Sequence, residues 1–261
     1  MYSDGVINLK TPAELDQMAA SGVVHAEALK LAVETAVPGA TTKDVDIAVE
    51  QYIRSKGGIP TFKGYRGFPG SICISNNDMV VHGIPGDEVL TAGDILCIDI
   101  GVTLGGWVTD GAITIAVGGE STAIADSLME VTKASLFDAV EQCRPGNHLG
   151  DVGHAIETRV KNAGFSVIRE LIGHGIGRQM HEEPQVPNYG RPGSGPELQP
   201  GMVLAIEPMV NAGGPEIYVG DDNWSVYSAD GSLTSHFEFT VAVTEGEPRI
   251  LNPWHELIAT A

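Results

Sequence analysis

Two stretches of this 261-residue chain repeat one another, and that repetition limits the fold more than any composition does. Sliding the sequence by 107 aligns Leu29 to Gly57 with Leu136 to Gly164, and 11 of 29 positions are identical. Unrelated sequence of ordinary composition would give about two. A slide of 108 lays LTAGDILCIDIGV (Leu90 to Val102) on LQPGMVLAIEPMV (Leu198 to Val210) and puts Glu207 on Asp99. A slide of 128 sets Glu238, in HFEFTVAV, against Asp110, in VTDGAITI, and HGI occurs once per half, at His82 and His174. Each half therefore reads helix, helix, histidine, strand with an acid, strand with an acid. One such unit is too short to close a core around its own sheet. The repeat therefore predicts an α+β chain in which two halves, about 12–118 and 119–252, pack across a pseudo-two-fold axis. They would share a curved antiparallel sheet within one domain spanning 1–261.

Local signals fit this plan. TPAE at Thr11 to Glu14 supplies the N-cap, proline and glutamate of a capping box for a helix running towards Val37. A second helix is expected from Thr42 to Ser55, with Val45, Val49 and Ile53 on one face and Gly57 as its stop. GDILCIDIGVTLGGWVTDGAIT, from Gly93 to Thr114, reads as two apolar strands joined at Thr103 to Gly106. A turn centred between Leu104 and Gly105 would place Asp99 directly opposite Asp110. Like charges so placed destabilise a ladder.

Four carboxylates on apolar strands, gathered by pseudo-symmetry, cannot all remain ionised without a cation: either some are protonated or metal is bound. Hard oxygen donors with an imidazole suit divalent first-row metals, and shared carboxylates can bridge two of them. The imidazole candidate lies in IGHGIGRQMHEEP, where His174 sits among glycines and His181 follows seven residues later. His236, two residues before Glu238 and thus on the same strand face, is expected to play an outer or solvent-facing role. His82 reads either as a surface-turn residue or as part of the site. His25, His148, His154 and His255 receive no chemistry. Glu182 and Glu183 are expected to be a solvated or structural pair, Cys97 a small buried apolar group, and Asn188 to Gly201 a loop beside the site.

A formal charge of −19, from 34 acidic and 15 basic residues, argues against a nucleic-acid-binding face. Three cysteines do not make a disulfide framework. The sequence shows neither a signal peptide nor a long apolar run. These features point to the cytoplasm and away from membranes.

Asp99, Asp110, His174, Glu207 and Glu238, together with VVHGIPG, GHGIGRQMHEEPQV and AIEPMVNAG, closely resemble the methionine aminopeptidases from Thr11 to Asn252. Only 31 residues separate Glu207 from Glu238, too few for the helical insertion of the type 2 enzymes. The resemblance is thus to the short bacterial type 1 form, which lacks a zinc-finger extension.

The resemblance implies the pita-bread fold and removal of the initiator methionine from nascent polypeptides with a small second residue, through attack of a metal-bound hydroxide. It implies two divalent ions (Co, Mn, Fe or Zn), with Asp99 on one, His174 and Glu207 on the other, and Asp110 and Glu238 bridging. Glu207 would be the general base, His181 a donor to the scissile carbonyl, and His82 a contact to the scissile amide. Tyr65, Phe68, Cys73, Met180 and Trp224 would line the methionine pocket. The implied partners are nascent peptide N-termini met at the ribosome, and the chain's own Tyr2 should protect Met1. Phe62, Arg66, Met180 and Phe239 depart from the residues usual in the family. Prolidase-like X-Pro hydrolases, which share the fold and ligands, and a non-enzymatic pita-bread binding protein are the competing readings.

Overall fold

The computed structural model describes residues 5–258, so Met1 and Tyr2 lie outside the described residues. The first half comprises α1 (Pro12–Thr35), α2 (Thr42–Ser55), β1 (Ile59–Pro60), β2 (Cys73–Asn76), β3 (Met79–Val81), β4 (Ile95–Leu104) and β5 (Trp107–Ala116). The second comprises α3 (Ala123–Glu141), α4 (Leu149–Asn162), β6 (Ser166–Val167), β7 (Gly173–Gly175), β8 (Glu182–Val186), β9 (Val203–Ile206) and β10 (Met209–Asn211). It continues with β11 (Ile217–Val219), β12 (Val226–Ser228), β13 (Thr234–His236), β14 (Phe239–Ala242) and β15 (Arg249–Ile250).

The helices start where their caps dictate. Thr11 Oγ1 accepts from the Glu14 amide while the Glu14 carboxylate accepts from the Thr11 amide at 2.9 Å, so two otherwise orphaned donors of α1 are satisfied. Thr41 and Asp44 do the same for α2. Val45, Val49 and Ile53 of α2 are fully buried, each burial contributing about 1.5–3 kcal/mol. Helix α1 packs on α2, β4 and β5, and α3 packs on α4 and on strands of the second half, so each helix pair shields its own strands. None of these helices is long and apolar enough to cross a membrane.

Among the described residues the strand ladders are antiparallel, and they form four hydrogen-bonded groups rather than one uninterrupted sheet: β1-β4-β2 with β5 on β4, β15-β14-β9-β7-β8, β13-β10-β6 and β11-β12-β3. The two halves meet where β5 lies beside β14. There the Glu238 amide donates to Ala112 O at 2.9 Å, Asp110 N donates to Thr240 Oγ1 at 2.9 Å, and Thr240 Oγ1 donates to Asp110 O at 2.7 Å. Asn252 Nδ2 adds a second bond to Asp110 O, and Trp254 Nε1 donates to Glu238 O.

The β4–β5 hairpin corrects one expectation. Asp99 faces Ala112 and Asp110 faces Gly101, so the two aspartates are diagonal neighbours rather than a direct pair. The cause is the turn: Gly105 and Gly106, with φ 58° and 77°, form a two-residue loop between Leu104 and Trp107. Positive φ at both central residues matches the twist of the flanking strands and shifts the register by two. A shift of two preserves the face, so both carboxyls still point the same way.

Candidate metal centre

Strands β4, β5 and β7, the residues flanking β9 and β14, and the loops that carry His82 and His181 deliver the acids and imidazoles to one cavity of about 150 Å³. Asp99 comes from β4, where Cys73 of β2 sits directly across from it. Asp110 comes from β5. His174 is the middle residue of β7 and pairs with Ala205 of β9. Its neighbour Gly175 must lack a side chain, because a Cβ there would lie 2.1 Å from Glu183 O. Phe239 pairs with Ile206, and one step beyond that register are Glu238 and Glu207. All five, with Phe62, Tyr65, Arg66, Phe68, Cys73, His82, Met180, His181 and Trp224, line the cavity.

Oxygen or nitrogen atoms of Asp110, His174 and Glu238 lie within 4.8 Å of one another, a spacing that suits a shared cation. His174 Nε2 is 3.7 Å from Glu207 Oε1 and 3.9 Å from Asp110 Oδ2. Its Nδ1 lies 2.8 Å from Gly175 O, a bond that requires the proton on Nδ1 and leaves the Nε2 lone pair facing the carboxylates. Among the described residues, Asp99 Oδ1 and Glu238 Oε1 are buried without a hydrogen-bond partner.

The electrostatics match an anionic cage. Burial raises Asp99 to about 7. Burial, and then the charges of Glu238 and Asp99, lift Asp110 well above the usual carboxylate range. Glu207 and Glu238 are raised in the same way, by burial and then by their acidic neighbours. His174 is lowered to about 4, chiefly by burial. Orphaned oxygens, mutually repelling acids and a neutral imidazole aimed at them together form a donor set that fits hard divalent ions.

His181 sits beside this cage, its ring centroid 4.3 Å from that of His174. Tyr65 Oη lies 2.8 Å from His181 Nδ1, and a phenol that donates there leaves the proton on Nε2. Burial and the neighbouring His174 lower His181 to about 3, so it remains a neutral donor. The loop before it is pinned by Glu182, which accepts from Lys10 Nζ at 2.7 Å and from the amides of Arg178 and Gln179. Glu182 is thus a buried structural ion pair, while its neighbour Glu183 lines a separate surface groove.

His82 is half-buried in the cavity wall rather than free at a surface turn. It adopts φ 62°, a conformation uncommon for a non-glycine residue. Gly83 follows it against Ile74 O, which a Cβ would approach to 1.9 Å.

His236 requires a second correction. It ends β13 whereas Glu238 precedes β14, so the two do not share a strand face, and the ring is buried rather than solvent-facing. Its Nε2 is 3.9 Å from Glu238 and 4.0 Å from Glu207, and it is not among the residues that line the cavity, so the outer role stands and the solvent-facing one does not. Cys97 is buried, with Sγ 3.6 Å from His236 Nδ1. His25, His148, His154 and His255 fall outside the cavity lining. Of the Asn188 to Gly201 loop, Asn188 touches the site by donating to Glu207 O, while Tyr189, Gly190, Arg191 and Ser194 to Pro196 line the separate groove near α4. The sequence reading missed Thr240, Asn252 and Asn188 as supports for the acids. Their bonds go to backbone carbonyls of residues far along the chain, which leaves no local pattern.

Comparison with known proteins shows the family. The sequence model of Metallopeptidase family M24 matches residues 16–245. Methionine aminopeptidase 1 of Bacillus subtilis is 49% identical over 246 residues, covering 92% of this chain and 96% of that protein. Methionine aminopeptidase 1 of Mycobacterium tuberculosis is 48% identical over 253 residues, covering 94% and 95%. The crystal structure of methionine aminopeptidase from Thermotoga maritima superposes with a TM-score of 0.93 at 42% identity, over 95% of this chain and 99% of the other. The prolidase of Pyrococcus horikoshii shares the fold alone, with a TM-score of 0.74 at 21% identity, and this chain spans 63% of its length.

Proposed function

The chain belongs to metallopeptidase family M24, among the short bacterial-type methionine aminopeptidases with the α+β pita-bread fold, and from that premise we propose how its residues act. The chain is a metal-dependent aminopeptidase. It removes the initiator methionine from peptides with a small second residue, acting in the cytoplasm on nascent chains at the ribosome. The 1–261 chain works as one catalytic unit of two pseudo-repeats, about 12–118 and 119–252.

The observation that carries this reading is the convergence of Asp99, Asp110, His174, Glu207 and Glu238, with His82 and His181, on one small cavity. Divalent ions (Mn, Fe, Co or Zn), two by the family resemblance, would be held by Asp99, Asp110, His174, Glu207 and Glu238, of which Asp110, His174 and Glu238 already bring donor atoms within 4.8 Å of one another. When bound, such ions lower the pKa of water and polarise a carbonyl. Glu207 takes the proton of the attacking water as general base. His181 Nε2 donates to the scissile carbonyl as charge develops on its oxygen, and Tyr65 holds the tautomer that allows it. His82 contacts the scissile amide. Phe68 and Trp224, packed edge to face at 5.1 Å, form with Cys73, Met180 and Tyr65 the apolar pocket for an unbranched thioether.

The test compares Met-Gly and Met-Ala peptides with Met-Leu and X-Pro peptides, with added metal and with chelator. Cleavage of the first pair only, abolished by chelation, is expected. X-Pro turnover would favour the prolidase reading, and no turnover at all would favour a binding protein.

A further inference from the structure

A groove of about 400 Å³ continues from the mouth of the catalytic cavity. It shares Tyr65, Arg66, Met180 and His181 with the cavity and adds Arg178, Gln179, Thr61 and Thr103. A cavity of about 150 Å³ accommodates little more than the first residue of a substrate. His181 stands at the scissile carbonyl in the reading above, so the chain beyond it leaves over the residues that the cavity and groove share.

The groove is charged against the rest of the molecule. The chain carries 34 acidic and 15 basic residues, yet among the described residues the lining contains two arginines and no carboxylate. Arg66 and Arg178, like Arg191, form no ion pair among the described residues, whereas Arg54, Arg144, Arg159, Arg169 and Arg249 do. The Arg178 guanidinium lies 3.6 Å from the centroid of the Trp107 ring and bonds the carbonyls of Gly105 and Gly106 at the hairpin turn, at 3.4 and 3.2 Å. These contacts orient it while leaving donors free. Arg66 has φ 50° and lies 5.3 Å from the centre of the Tyr65 ring. Glu14, whose carboxyl is lowered first by its bonds with Thr11 and less by the charge of Arg178, is committed to the cap of α1.

We propose that this groove is a downstream subsite that selects peptides with acidic side chains at the third and fourth residues, Arg66 and Arg178 supplying the two positive contacts. The inference rests on the aminopeptidase reading. Such exposed pairs are individually weak, they add to binding more than to chemistry, and salt screens them.

The experiment uses the metal-loaded enzyme and matched peptides Met-Ala-Asp-Glu, Met-Ala-Gln-Gln and Met-Ala-Lys-Lys, extended by the same neutral tail, with the dipeptide Met-Ala alongside. At low salt the acidic peptide should exceed the lysine peptide in kcat/KM by about 3- to 10-fold, mostly through KM. The ratio should fall below about twofold in 0.5 M salt and in the Arg66→Gln, Arg178→Gln double variant, and Arg66→Glu should invert it. Because each ratio is taken within one protein, a change in overall activity does not disturb it. Cleavage of Met-Ala with a wild-type ratio of one, or a ratio unchanged in the double variant, overturns the inference alone. Failure to cleave Met-Ala overturns both the inference and the reading beneath it.

Discussion

Replacing Asp110 by asparagine should have opposite effects in the two states of the protein. Asp110 Oδ1 accepts from the Gly111 amide at 3.0 Å, and an asparagine oxygen can keep that bond. Its backbone carbonyl, held by Thr240 and Asn252, is unaffected. What the substitution removes is one charge within 4.8 Å of Glu238. Two unit charges at that separation and an effective dielectric near 20 repel by roughly 3 kcal/mol, and protonation of one partner reduces this to about 2 kcal/mol. The sign follows from linkage. The carboxyls here have folded pKa values raised above their unfolded ones, so their contribution is fully present below about pH 4 and is lost as pH rises through the folded values, about 7 for Asp99. In chelator, then, Asp110→Asn should melt above wild type by about 4–8 °C at pH 8, with the gap closing towards pH 4. With metal at about 100 times its dissociation constant, wild type should gain about 3 kcal/mol. The variant should lose most of that gain, together with turnover. Thermal melts of both proteins in EDTA and in Mn²⁺ or Co²⁺ decide the matter. A variant that melts well below wild type in EDTA at pH 8 refutes the repulsion argument and makes Asp110 a structural acceptor.

Three further outcomes are expected. His181→Ala should lower kcat by about 10²–10³ while metal stoichiometry holds, whereas His174→Ala should lose an ion; metal analysis beside kinetics checks both. Lys10→Met leaves the buried Glu182 without its 2.7 Å partner, which should destabilise the fold by about 3 kcal/mol in urea unfolding; a loss below about 0.5 kcal/mol would show that the Arg178 and Gln179 amides suffice. His25, fully buried at Gly111 O, has its pKa lowered to about 4 by burial. A depressed folded value means stability is present above the unfolded pKa near 6.5 and is lost as pH falls towards 4, in total about 3 kcal/mol. Wild type minus His25→Gln, measured at constant metal, should show that slope.

Much of this molecule could be read locally. The capping boxes at Thr11 and Thr41, the buried stripe of Val45, Val49 and Ile53, and the glycine stop at Gly57 depend on neighbours within one or two turns, so a short window contains the physics. The face of each acid was legible as well, because strand side chains alternate with a period of two whatever the partner. The repeated placement of Asp99 and Glu207, and of Asp110 and Glu238, together with one histidine per half, named the candidate ligands before any coordinates did.

Register and assembly were not legible in this way. Whether Asp99 meets Asp110 or Ala112 depends on the backbone of Gly105 and Gly106, and a two-residue shift leaves the hydrophobic pattern unchanged. The break that puts His236 and Glu238 on different strands, the Thr240 and Asn252 bonds to Asp110, and the Tyr65 bond to His181 join residues that local periodicity does not relate. The arginine groove likewise needs Arg66 and Arg178, 112 positions apart, on one rim. Sequence alone determined which side chains each element presents and to which face, because propensity, capping and alternation are short-range. Only the tertiary structure decided which of them meet, because those distances are set by turn geometry and by packing between the two halves.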